Sequence, residues 1–152
     1  MEIPPSPLQK FIVAYDDMSQ LPLNTQIYHK YTKPAREYFF ENVQSMQGQE
    51  AVGLIKNRGR VLLLVCPPPG SMALEVVKQY TKFVGNDIVI YVGEGVGGAN
   101  ANDEFFDFFL NHQSKEEDEI KDKWVLLESI DVEDVLGGGK GFEKLFTLKR
   151  IR

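Results

Sequence analysis

Three consecutive prolines constrain this chain more than any other feature. Residues 60–65 read RVLLLV, an apolar run of strand character, and Cys66-Pro67-Pro68-Pro69-Gly70 cuts it off. Proline has no N–H for a sheet ladder, so the strand must end there. Immediately downstream, residues 72–80 (MALEVVKQY) read as a helix with Ser71 available as its N-cap. Residues 87–92 (DIVIYV) are a second buried strand, followed by a glycine-rich stretch, Gly93 to Gly98. Strands alternating with helices predict an α/β layer fold with a largely parallel sheet. Ligands in such sheets bind beyond the carboxyl ends of the strands, so those ends are where function is sought.

The same pattern extends in both directions. Residues 11–15 (FIVAY), stopped by Asp16-Asp17, predict a strand buried on both faces, the usual state in parallel sheets. Residues 18–36 read as a long loop, residues 38–43 as a strand, and residues 49–56 as a helix with Gly59 past its end. Residues 103–110 (DEFFDFFL) predict a helix with acids in its first turn and Phe105, Phe106, Phe108 and Phe109 on its core face. Residues 115–123 are charge-rich, a solvated helix end or loop. Residues 123–131 and 143–151 are the final strands, separated by a glycine-rich hairpin loop at 137–141. With no helix between them they are expected as an antiparallel edge pair. The first nine residues, rich in proline, read as a disordered leader, and residues 10–152 as a single domain.

Composition narrows the partners. A formal charge of -5 excludes electrostatically driven nucleic-acid binding, which needs clustered Lys and Arg. The lone cysteine, Cys66, excludes an internal disulfide and a cysteine-based zinc site within one chain. No apolar run is long enough to span a bilayer. The expectation is a cytoplasmic globular protein without a metal.

Three strand ends carry candidate chemistry. Gly93 to Gly98 matches G-x-G-x-x-G between a strand and a helix, the pattern in which a backbone cradles a pyrophosphate. Glu94 places a negative charge inside that cradle, and the next candidate ribose-binding acids lie beyond the usual spacing of about 20 residues. The preferred reading is a glycine loop that shapes a cleft. Cys66 to Pro69 reads either as a rigid wall beside a planar ligand or as a stiff turn. For Cys66 as a nucleophile only His29 and His112 could serve as base, so a buried structural thiol is expected. Asp16-Asp17 could accept hydrogen bonds from a ribose diol or could simply form a solvated turn.

Taken together, FIVAYD, VLLLVCPPPG, MALEVVKQY, DIVIYVGEGVGG, NDEFF and the two closing strands resemble the class I (Rossmann-like) S-adenosylmethionine-dependent methyltransferases. The resemblance covers about residues 10 to 151 and implies a three-layer α/β fold whose mostly parallel sheet ends in an antiparallel strand pair. It implies that Asp16, with Tyr15, binds the ribose hydroxyls of S-adenosylmethionine, and that Cys66 and Pro67 also border the cofactor. Cys66 to Pro69 stands where amine methyltransferases carry Asp/Asn-Pro-Pro-aromatic. Here a thiol, a weak acceptor, replaces the group that would hold a target amine. Pro68, Pro69, Gly93, Glu94 and Gly95 would line the substrate cleft. The family's first strand and glycine-rich cofactor loop have no counterpart before Phe11. The expectation is therefore a truncated or degenerate methyltransferase-fold protein, missing its first strand and with no catalytic residue of its own. The alternatives are an active methyltransferase in a longer chain, and an assembly module that associates with itself or a partner through an open sheet edge.

Overall fold

The computed structural model describes residues 11–19, 43–110, 123–132 and 142–151. The chain divides into two compact units, Met1–Ala51 and Val52–Arg152. In the first unit, β1 (Ala14–Asp16) pairs in parallel with β2 (Val43–Ser45). The strand expected at 11–15 is shorter and begins later. Phe11, Ile12 and Val13 are exposed rather than buried, because the ladder with β2 starts only at Ala14. Of the strand expected at 38–43 only Val43, the first residue of β2, falls among the described residues; residues 38–42 lie outside them, as do the leader and most of the 18–36 loop. Helix α1 (Gly48–Gly53) crosses the division between the units and is followed by a 3-10 turn at Ile55–Asn57. Gly59 then takes the left-handed φ of +74° that a glycine past a helix end accommodates without strain.

The second unit is built on a mixed four-stranded sheet. Strand β3 (Leu62–Val65) leads through helix α2 (Met72–Tyr80) to β4 (Ile88–Gly93), which lies parallel to it. Helix α3 (Asp103–Leu110) precedes β5 (Lys123–Asp131) and β6 (Lys144–Ile151). The spatial order is β3-β4-β6-β5, with β6 antiparallel to both of its neighbours. The expected α/β class and the antiparallel pairing of the last two strands are observed. One correction follows. The sheet is mixed rather than mostly parallel, because β5 and β6 follow one another without a crossover helix to reverse the chain. The pair forms one edge of the sheet: β6, half-buried along Leu145–Leu148, lies against β4, and the more exposed β5 is the border.

One face of this sheet carries the core. Leu64 on β3, Val89 and Tyr91 on β4 and Trp124 on β5 are buried with Ala73, Leu74, Val76, Val77 and Tyr80 of α2 and Phe105 and Phe109 of α3. Phe106 and Phe108 pack against that cluster half-buried, so the phenylalanine helix uses its faces as its spacing predicts. The rings interlock edge to face: Phe109 stands 5.1 Å from Trp124 at 89°, and Phe106 stands 5.7 Å from Tyr91 at 89°. That is the arrangement their quadrupoles favour. The opposite face departs from the expectation of strands buried on both sides. Leu63 and Val65 are 52% and 59% exposed, because among the described residues both α2 and α3 lie against the other face. The second unit's described residues therefore form two layers, not the three of the expected sandwich.

The amino ends of β3 and β4 are joined by buried polar groups. The Tyr80 hydroxyl lies 2.8 Å from the Arg60 carbonyl and 2.9 Å from the Ile88 carbonyl, and accepts the Ile88 N–H. Fully buried Asn86 accepts the Gly59 N–H at 2.7 Å and donates to the Tyr80 carbonyl at 2.9 Å. These bonds satisfy backbone groups where the turns leave the helix and sheet ladders. The framework is closed at one end, and the loops that could meet a ligand are at the other.

Candidate functional site

The carboxyl ends of β3 and β4 bring Cys66, Pro67, Pro68, Pro69, Gly93, Glu94 and Gly95 into one pair of adjoining loops. The ladder runs one step beyond β3, with the Cys66 N–H donating to the Val92 carbonyl at 2.7 Å. Cys66 then adopts φ +43°, a left-handed conformation that costs a residue with a Cβ about 1 kcal/mol or more. The prolines that follow run alongside the second loop. Pro67 accepts the Ala101 N–H at 3.3 Å, Gly70 donates to the Ala101 carbonyl at 3.2 Å, and Pro69 forms a parallel bridge with Ala101. Ala101 also has a left-handed φ, +56°. Of the proline wall, Pro67 is buried while Pro68 and Pro69 face outward.

Asn100 ties the two loops together. Its Oδ1 accepts the Glu94 N–H at 3.1 Å and its Nδ2 donates to the Pro67 carbonyl at 3.2 Å. Next to it, the Tyr91 hydroxyl donates to the Glu94 carbonyl at 2.7 Å. Asn102 caps α3, its Oδ1 accepting the Phe105 N–H at 3.0 Å. The acids Asp103 and Glu104 do stand in the first turn of α3, but the cap is the asparagine before them. At α2 the expected cap is absent: Ser71 has helical backbone angles and gives its hydroxyl to Glu75 at 2.7 Å instead of capping an N–H.

The glycine loop is filled from within. Glu94 Oε2 accepts the Ala99 N–H at 2.8 Å, and the Gly98 N–H donates to the Gly95 carbonyl at 2.9 Å. A Cβ at Gly98 would fall on the Glu94 side chain, and one at Gly93 would lie 2.7 Å from the Tyr91 hydroxyl oxygen and 3.0 Å from Asn100 Oδ1. Gly93 and Gly98 are thus required by the chain's own packing. A carboxylate already occupies a position on the loop amides, where a bound phosphate would compete with it.

Electrostatics make this end of the sheet quiet near neutral pH. Partial desolvation by the surrounding loops, then the Glu143 and Glu94 carboxylates, push the Cys66 thiol above its ordinary range although the residue is exposed, so the thiolate needed for attack is scarce. Burial pushes the Tyr91 phenol up to about 12, with Cys66 and Glu94 adding to it. Cys66 is exposed, contrary to the expected buried thiol, because its left-handed backbone breaks the strand alternation that buries Leu64. Among the described residues no group of three or more His, Cys, Asp or Glu side chains could hold a metal ion.

Tyr15 and Asp16 belong to the first unit, at the end of β1. Asp16 turns its carboxylate back on the chain, accepting the Met18 N–H at 2.7 Å, while its carbonyl accepts the Met46 N–H at 2.9 Å. Asp17 accepts the Ser19 hydroxyl and N–H, which lower its pKa. His29, His112 and the 137–141 loop lie outside the described residues. Asn100 and Ala101 carry the join between the loops and had no marker in the sequence reading. Asn102, placed directly before an acid-rich helix start, did have one in its position.

No family model, curated protein or solved structure matches this chain. No helix among the described residues is long and apolar enough to cross a membrane.

Proposed function

We propose that this is a methyltransferase-fold protein, cytoplasmic and without catalysis of its own, whose joined loops at the ends of β3 and β4 are built to hold rather than to transform. The single observation that carries this reading is the state of that loop pair. The two loops are fixed to each other through Asn100 and Ala101, while their two candidate reactive groups, the Cys66 thiol and the Tyr91 phenol, are both held protonated near neutral pH. Methyl transfer to an amine needs an acceptor that orients the nitrogen lone pair, and a thiol at Cys66 is a poor one. The order of strand, proline wall, helix, strand, glycine loop, helix and closing strands supports the methyltransferase-fold assignment. S-adenosylmethionine is the ligand class to test. Calorimetric titration of the full chain with S-adenosylmethionine and S-adenosylhomocysteine is expected to show no micromolar binding. Micromolar affinity would overturn the degenerate reading and favour the enzyme.

A second reading has its own observation. Among the described residues β3 is paired only with β4, and its outward residues Leu63 and Val65, with Val61 just before the strand, are exposed and apolar. An edge with no charge, bulge or proline inside it is a template for another strand. On this reading the protein is an assembly module that takes a partner strand along β3.

A further inference from the structure

We propose that the strand taken up along β3 is the β3 of a second copy of this chain, antiparallel, with the two-fold axis at Leu63. This rests on the assembly reading above and names its partner. The parity of the ladder fixes the axis. The Cys66 N–H points to β4 and the Arg60 carbonyl is turned inward to Tyr80, so backbone groups of even-numbered residues face inward. Those of Val61, Leu63 and Val65 face the open edge.

A two-fold axis reverses the strand direction and so requires antiparallel pairing. Centred on Leu63, it sets Leu63 opposite its symmetry mate and Val61 opposite Val65. Each of these pairs can exchange both backbone hydrogen bonds, as opposed residues do in an antiparallel ladder. Every opposed pair on the exposed face is apolar, so the strand is complementary to itself. No like charges meet across the seam.

The flanks are complementary in charge. Three residues from the axis, Arg60 of one copy comes opposite Cys66 of the other, where the Glu94 and Glu143 carboxylates act on the thiol. The result is a continuous sheet twice as wide as one chain's. It closes on itself as a dimer and leaves β5, whose Asp131 pairs with Lys144 of β6 at 2.9 Å, as the outer border.

The test is the mass of the full chain across a concentration series, by light scattering or sedimentation. The expected mass is twice 17.3 kDa. Leu63→Lys, which sets two ammonium groups against each other at the axis, is expected to raise the dissociation constant at least about tenfold. Its circular dichroism and Trp124 emission should stay those of the folded chain. Register is read separately, in a Cys66→Ser background. Leu63→Cys is expected to oxidise to an interchain disulfide, its Cα atoms about 5.5 Å apart across the axis. Leu64→Cys, on the inner face, is not.

A dimer that survives Leu63→Lys, or that fails to cross-link at Leu63→Cys, overturns the seam. A monomer at every concentration overturns the second copy as partner. In that case fluorescence anisotropy with a labelled peptide of residues 59–66, lysines added at its ends, separates the two ideas. Binding keeps the edge as a docking strand for another protein, and no binding removes the assembly reading as well.

Discussion

Replacing Asn100 is the sharpest perturbation of the candidate site, because one side chain holds both loops. Its two hydrogen bonds, to the Glu94 N–H at 3.1 Å and the Pro67 carbonyl at 3.2 Å, are each worth about 0.5–1.5 kcal/mol net. Asn100→Ala should therefore destabilise the second unit by about 1–3 kcal/mol, which at a urea slope of about 1–3 kcal/mol per molar moves the midpoint by about 1 M. Trp124 is the only tryptophan and is buried in the core of that unit, so its emission follows this unfolding. Asn100→Asp separates the two bonds. It keeps the acceptor for Glu94 but, once ionised, sets a carboxylate oxygen against the Pro67 carbonyl, with Glu94 nearby. Ionisation is disfavoured in the fold, so the folded pKa lies above the unfolded value of about 3.9. The variant should then match the wild type below that value, where its protonated oxygen can donate to Pro67. It should lose stability relative to the wild type as pH rises through the folded pKa. Denaturation curves at several pH values between 3 and 7 measure this. A cost below about 0.5 kcal/mol for Asn100→Ala, or parallel pH profiles for Asn100→Asp and wild type, would refute the clamp.

Three further outcomes follow from the same geometry. Gly98→Ala should destabilise the unit by about 1–3 kcal/mol through overpacking, because the new Cβ falls on the Glu94 side chain and 2.9 Å from the Gly95 carbonyl. Adding Glu94→Gly should restore much of the loss, and a double-mutant cycle by urea denaturation reads that coupling. Tyr80→Phe should cost about 1–3 kcal/mol, since the hydroxyl that joins the Arg60 and Ile88 backbone is buried and its partners lose it without replacement. Equal thermal stability of Tyr80→Phe and wild type would contradict that role. Alkylation of Cys66 by iodoacetamide should be slower at pH 8 than that of a free cysteine peptide and should climb only above the ordinary thiol range. Glu94→Gln should move the rate profile to lower pH, because it removes one of the carboxylates that hold the thiol protonated.

The amino-acid sequence is enough for the elements whose signals are local. The helix Met72–Tyr80, the helix Asp103–Leu110 and the strand Lys123–Asp131 fall where their periodicity, acids and breakers place them, and the three prolines end β3 as their missing N–H groups require. It also placed Glu94 inside the glycine loop, which the hydrogen bond from Ala99 explains. The position of β6 between β4 and β5, the exposure of Leu63 and Val65, and the turning of Cys66 to solvent emerge from the folded arrangement. Strand order and face coverage depend on pairings between residues distant in the chain, and alternation alone cannot say whether a second layer of helices is present. The same holds for Asn86 and Asn100. An asparagine in a loop looks alike whether it meets water or a carbonyl 33 residues away, and folding alone brings Pro67 to Asn100.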